Sequence, residues 1–172
     1  MKRTITICLA AGWAFGALLH GDTVHAQQLS YAISSEKPAV SPEILEARAA
    51  ELYDSPKQYR RAAELHLEAA ELREFGDPLR VRNQSYAARL YYYAGDKGKA
   101  QTTLETAADD ARNAGDIITA ADLYLDASYV ATERKNAAEV HRLVEKAELL
   151  MSSPLVDAGT RDRVLGRIEV NG

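Results

Sequence analysis

Between Arg82 and Tyr93 the chain reads RNQSYAARLYYY, and this stretch concentrates the side chains best equipped for recognition. Arg82, Tyr86, Arg89 and Tyr93 recur at intervals of four, three and four, which places them on one stripe of a helix. Ser85 and Tyr92 lie beside that stripe. Arginine offers forked donors for a carboxylate, and tyrosine gives a large rigid contact surface with a polar tip. Arg82, Ser85, Arg89, Tyr92 and Tyr93 thus carry chemistry suited to recognition. The same residues also have a purely structural reading. Arg82 and Arg89 would then pair with surface acids such as Asp96 or Asp122, and the tyrosines would shield helix seams; exposed ion pairs of this kind are common and weak.

Catalytic chemistry finds no comparable concentration. Four histidines are present, two of them (His20 and His25) near the N-terminus, and His66 and His141 fall in different predicted helices without i, i+4 pairing. A zinc site would need both plus carboxylates gathered by the fold, so two ordinary helix-face histidines are expected instead. Asp109 and Asp110 are adjacent and point to different faces of a helix, which suits a solvated surface better than paired acid–base work. No Gly-rich phosphate loop occurs, and no serine sits on a strand-turn-helix elbow. The expectation is a non-enzymatic protein with no metal and no cofactor.

The ends and the charge limit the setting. Lys2 and Arg3 precede a mostly apolar run from Ile5 to Leu19, a more polar stretch, and Val24-His25-Ala26. That order is the one of a secretory signal peptide cleaved after Ala26. The apolar run of roughly 15 residues is short for a spanning helix, which takes about 20, although an uncleaved anchor is the other reading. Cleavage removes the single cysteine, Cys8, so the mature chain has no disulfide and depends on burial for stability. Losing Lys2, Arg3 and Asp22 takes the formal charge from −4 to −5, and 146 of the 172 residues remain, enough for one domain with a core. A mildly acidic, mixed surface argues against nucleic acid and against general attraction to anionic membranes. The expected location is periplasmic or secreted, with no stable membrane insertion after cleavage.

The elements that must position the stripe are helices. Residues 27–41 (QQLSYAISSEKPAVS) lack apolar periodicity and read as a flexible linker to a domain over 42–170. Beyond the linker, Ala, Leu, Glu and Arg dominate, and runs of period two are absent. Ser41-Pro42, Ser55-Pro56 and Asp77-Pro78 are helix starts. Gly-Asp at 76–77, 95–96 and 115–116 supplies a stop, because glycine tolerates the left-handed conformation, and a fresh cap in the aspartate. The spacing predicts helices near 42–53, 56–75, 78–94, 97–114, 117–134, 136–151 and 160–169, antiparallel across short turns. Leu65, Leu104 and Leu143 are 39 apart, as are Ala69, Ala108 and Ala147, the mark of stacked helical hairpins. A plain antiparallel bundle is the alternative.

From Arg82 to Arg112 the chain resembles a tetratricopeptide repeat. The matching residues are Ala88 and Tyr91 in the first helix and Ala100, Leu104 and Ala107 in the second. Gln84 stands where the family prefers tryptophan, Ala87 where it prefers leucine, and Arg112 where a closing proline is usual; the unit is about 39–40 residues instead of 34. Ser128, Ala131, Val140, Val144 and Ala147 form a weaker second unit. The resemblance implies an all-α fold of antiparallel hairpins stacked as a short right-handed solenoid. It also implies that Arg82, Ser85, Arg89, Tyr92 and Tyr93 face a concave groove that receives an extended peptide or a partner helix. The corresponding face of the next unit, near Asp122, Tyr129 and Glu133, is acidic. A protein or peptide partner is thus the expectation, with a small-ligand-binding helical bundle, tyrosines lining an internal pocket, as the alternative.

Overall fold

The computed structural model describes residues 40–171. The expected leader, residues 1–26, and the linker up to Ala39 lie outside the described residues. Those described form seven α-helices and no strand: α1 Pro42–Ala50, α2 Tyr59–Glu71, α3 Pro78–Tyr93, α4 Lys97–Asn113, α5 Ile117–Glu133, α6 Ala137–Met151 and α7 Ala158–Asn171. A 3-10 turn, Pro56–Gln58, leads into α2. The all-α class is therefore as expected, and most boundaries fall within two residues of the predicted ones. Three do not. The first helix stops at Ala50, the second begins at Tyr59 after the 3-10 turn, and it stops at Glu71, where the chain turns so that Arg73 reaches Glu43, Glu46 and Asp77.

Capping explains the turns. The side chains of Asp77, Asp96 and Asp116 accept the backbone N–H of Leu79, Lys99 and Thr119, and each follows a glycine at positive φ. Each helix then packs on its neighbours in the chain, from α1 on α2 through α5 on α6, while α7 rests more thinly on α5 and α6. The seams are built from small side chains. Ala63, Ala69, Ala87, Ala100, Ala107 and Ala120 carry no exposed surface. Small residues at a seam let helix backbones approach closely. Leu65, Leu104 and Leu143 are buried at equivalent places in α2, α4 and α6, and so are Ala69, Ala108 and Ala147.

Polar bonds join helices that are two apart in the chain. Asn83 Nδ2 of α3 donates to Glu46 Oε1 of α1 at 2.7 Å. Tyr92 of α3 donates to Glu133 of α5 at 3.0 Å, and Arg142 of α6 reaches Glu105 of α4 at 2.5 Å. Arg167 of α7 reaches Asp122 and Asp126 of α5 at 2.7 and 2.5 Å. Asp109 and Asp110 correct the solvated-surface expectation. Asp109 accepts the hydroxyl of the fully buried Tyr124, and Asp110 accepts from Arg80 and Gln84, each at 2.8 Å. Burial, together with Asp109, pushes the Tyr124 phenol up to about 12. Gln84, buried at 4 % exposure, thus ties α3 to α4 with an amide at the place of the resembled tryptophan.

Gly115 has φ +87 and open space where a Cβ would stand, so an added methyl would meet backbone strain and no clash. We expect Gly115→Ala to lower the unfolding free energy by about 1–2 kcal/mol in urea titration. An unchanged midpoint would mean that the turn is free to relax.

Candidate functional site

Four of the five candidate residues border two cavities on the side where α3 faces α5. One cavity, of about 300 Å³, is lined by Ser85, Arg89 and Tyr92 of α3, with Leu104 of α4 and Asp126 and Tyr129 of α5. The other, of about 440 Å³, is lined by Arg82, Ser85, Tyr86 and Arg89 of α3, and by Ala111 and Thr119 across from them. Ser85 and Arg89 belong to both, so the two cavities adjoin along α3. Tyr93 lines neither. Its ring is 63 % exposed and packs on Tyr59 of α2 at 6.3 Å between centroids. Helical angle is not the cause, since Tyr93 shares its stripe with Arg82, Tyr86 and Arg89; it stands at the last residue of α3, beside Tyr59.

The chemistry along this face is uneven. Arg89 is exposed and makes no ion pair among the described residues; its guanidinium lies 5.9 Å from the Tyr86 ring centre. A cation held against an aromatic ring keeps its outward N–H donors available. Arg82 is half-exposed and pairs with Glu46 at 3.5 Å, not with Asp96 or Asp122. Asp96 caps α4, and Asp122 is taken by Arg163 and Arg167. Ser85 donates its hydroxyl to Val81 of its own helix at 2.9 Å, leaving its oxygen as an acceptor.

At the far end Glu133 gathers Tyr92 at 3.0 Å, Tyr129 at 3.3 Å and Lys97 at 3.0 Å. Lys97 and then Tyr92 hold the Glu133 carboxyl below its ordinary value, while the bond to Glu133 pushes the Tyr92 phenol well up. Tyr92 is therefore a fixed, neutral donor that joins α3 to α5. Sequence reasoning missed Arg167, which enters the 300 Å³ cavity from α7 and is engaged by Asp122 and Asp126. Nothing in its local sequence separates it from Arg163.

A second polar cluster was also missed. His66, expected as an ordinary helix-face histidine, is 3 % exposed and lies between the rings of Tyr53 and Tyr86, at 6.0 and 5.4 Å. Asn83 fixes its tautomer. The Asn83 amide nitrogen donates to Glu46, so its oxygen accepts from His66 Nδ1 at 3.1 Å, and His66 Nε2 accepts the Tyr53 hydroxyl. Burial holds the imidazole below its usual pKa, although Asn83 and Glu46 favour its charged form. Burial also works against the Glu46 carboxylate, but donors from Asn83 and Arg73 outweigh it and leave its pKa lowered. The groups needed to find this relay are 13, 17 and 37 residues apart, so no local motif announces it.

Among the described residues, no group of three or more His, Cys, Asp or Glu side chains is arranged to hold a metal ion. No described helix is long and apolar enough to cross a membrane. No protein-family model, curated protein or solved structure matches the chain.

Because the folded state resists protonating His66 and the unfolded chain protonates it near 6.5, stability is intact above that pH and falls as the pH drops below it. Urea titrations from pH 7 to 5.5 should show a loss of up to about 1.4 kcal/mol per pH unit, absent in His66→Gln. An equal slope in the variant would assign the effect to other groups.

Proposed function

We propose that the chain is a non-enzymatic interaction module, exported to the bacterial cell envelope or beyond it, that receives a protein or peptide segment along α3 and α5. In this reading the helices stack as a short tetratricopeptide-like right-handed solenoid, and the two adjoining cavities are its concave side. Three things support the stacking: the buried residues repeated 39 apart, the packing of α1 to α6 chiefly on their chain neighbours, and the bonds between alternate helices. Export rests on the leader sequence.

One observation carries the binding face. Arg89 stands between two cavities and makes no ion pair among the described residues, flanked by Tyr86, Tyr92 and Tyr129. An extended segment carrying an acidic side chain would meet donors at Arg89 and Arg82 and aromatic surface on both sides. Asp126 at the opposite wall favours a segment of mixed charge over a wholly acidic one. The small-ligand reading based on tyrosines draws less support, since Tyr91 and Tyr124 are 3 % and 0 % exposed and line neither cavity.

A photocrosslinking residue at Ser85, in cells of the source organism, should yield an adduct that mass spectrometry identifies as one envelope protein. Adding Arg89→Glu should reduce its yield about tenfold, the loss of one charge-assisted contact and its reversal. The same adduct from a crosslinker at Glu148 on α6, or an undiminished yield with Arg89→Glu, would remove this face from the account.

A further inference from the structure

Successive turns in this fold repeat one device and then break it. The left-handed position is Gly76, Gly95 and Gly115 in three turns, with φ of +88, +77 and +87. In the turn between α5 and α6 it is Lys135, at φ +57, the one non-glycine residue with positive φ among the described residues. Asn136 takes over the capping role there, accepting from the Glu139 N–H at 3.3 Å. A side chain in this region is disfavoured by contact between Cβ and the following carbonyl. The lysine therefore stands against a local preference for glycine, and backbone strain of this kind is a reason to ask what the side chain does.

Lys135 lines a cavity of about 480 Å³ between α5, α6 and α7, within the usual size of small-ligand sites. Its walls are aliphatic: Leu125, Val140, Val144 and Ile168. No lining residue is acidic, although the whole chain has 25 acids against 21 bases. Most of the other polar groups are already committed. Ser128 donates to Leu125 O at 2.8 Å, Thr132 to Ser128 O at 3.0 Å, and Arg167 to Asp122 and Asp126. His141 lies on the exposed rim, where Glu145 stands 3.4 Å from its Nε2 and meets its charge when it is protonated. Lys135 itself makes no ion pair among the described residues. What is left to meet an occupant is an aliphatic wall, one ammonium group and the Asn136 amide nitrogen, whose oxygen alone serves the cap.

We propose that this cavity binds a small amphiphile with an aliphatic chain and a single anionic end, a fatty-acid-like carboxylate, with Lys135 as its counter-charge. The site is separate from the α3–α5 face and stands whether or not that face binds a partner. The chain enters between Val140, Val144 and Ile168, and the carboxylate stays at the rim, where it remains partly hydrated.

The test is calorimetric titration of the full chain with decanoate below its micellar range, with decyltrimethylammonium and decanol as size-matched controls. We expect saturable one-to-one binding of decanoate, about tenfold or more tighter than either control. Lys135→Gly should weaken decanoate by about tenfold or more while raising the melting temperature, because glycine accepts the left-handed backbone. Val140→Trp, which fills the space, should abolish binding in a protein that still melts cooperatively. Decanoate affinity no better than the controls, or unchanged in a more stable Lys135→Gly protein, overturns the proposal, as does binding that survives in Val140→Trp.

Discussion

Close approach of helix backbones across alanine seams is the constraint on which the rest of this structure depends. At the seams of α2 to α5 the residues with no exposed surface are overwhelmingly alanines, and very few large side chains are wholly buried. Alanine contributes little apolar area of its own, so the stabilisation comes from many short contacts that hold only while the helices stay close. Buried pairs such as Tyr91 with Ala88, and Leu104 with Ala107, alternate bulk and its absence along the same seam. Each helix is thereby committed to its chain neighbours, and tight turns set by a left-handed residue and a capping side chain follow from that commitment.

With the backbones this close, side chains from helices two apart can meet over the intervening one. Glu46 with Asn83, Tyr92 with Glu133, and Glu105 with Arg142 all do so at 3.0 Å or less. Arg89 and Lys135 are cations that make no ion pair among the described residues, and each borders a cavity. The 480 Å³ cavity has a related origin. Its roof, α7, contributes Val164 as a fully buried residue and no buried alanine, so α7 stands off where α2 to α6 press together. The same device that closes the seams thus explains where one stays open.

Much of the fold could be read from the residues, because its determinants are local. A glycine followed by aspartate ends one helix and caps the next, and the spacing of those pairs set the helix lengths. The stripe through Arg82, Tyr86 and Arg89 was equally legible from helical spacing, and the resemblance added Ser85 and Tyr92 beside it. Tyr93 shares that spacing and left the group because, at the last residue of α3, it packs on Tyr59 of α2. The histidine relay, the ties of Asp109 and Asp110, and the entry of Arg167 were not legible. They join residues from different helices, and only the packing decides which faces meet. The Lys135 turn lay between: the break was placed correctly, but without a glycine its left-handed backbone gave no signal.

The alanine seams can be tested at one buried position. Ala107 of α4 has no exposed surface and no room for a longer side chain unless the helices part. Unfolding of Ala107→Leu in urea measures this directly. Close packing predicts a loss of about 1–3 kcal/mol, despite the added apolar surface. A variant as stable as the parent, or more stable, would show that the seams have slack and would contradict the account.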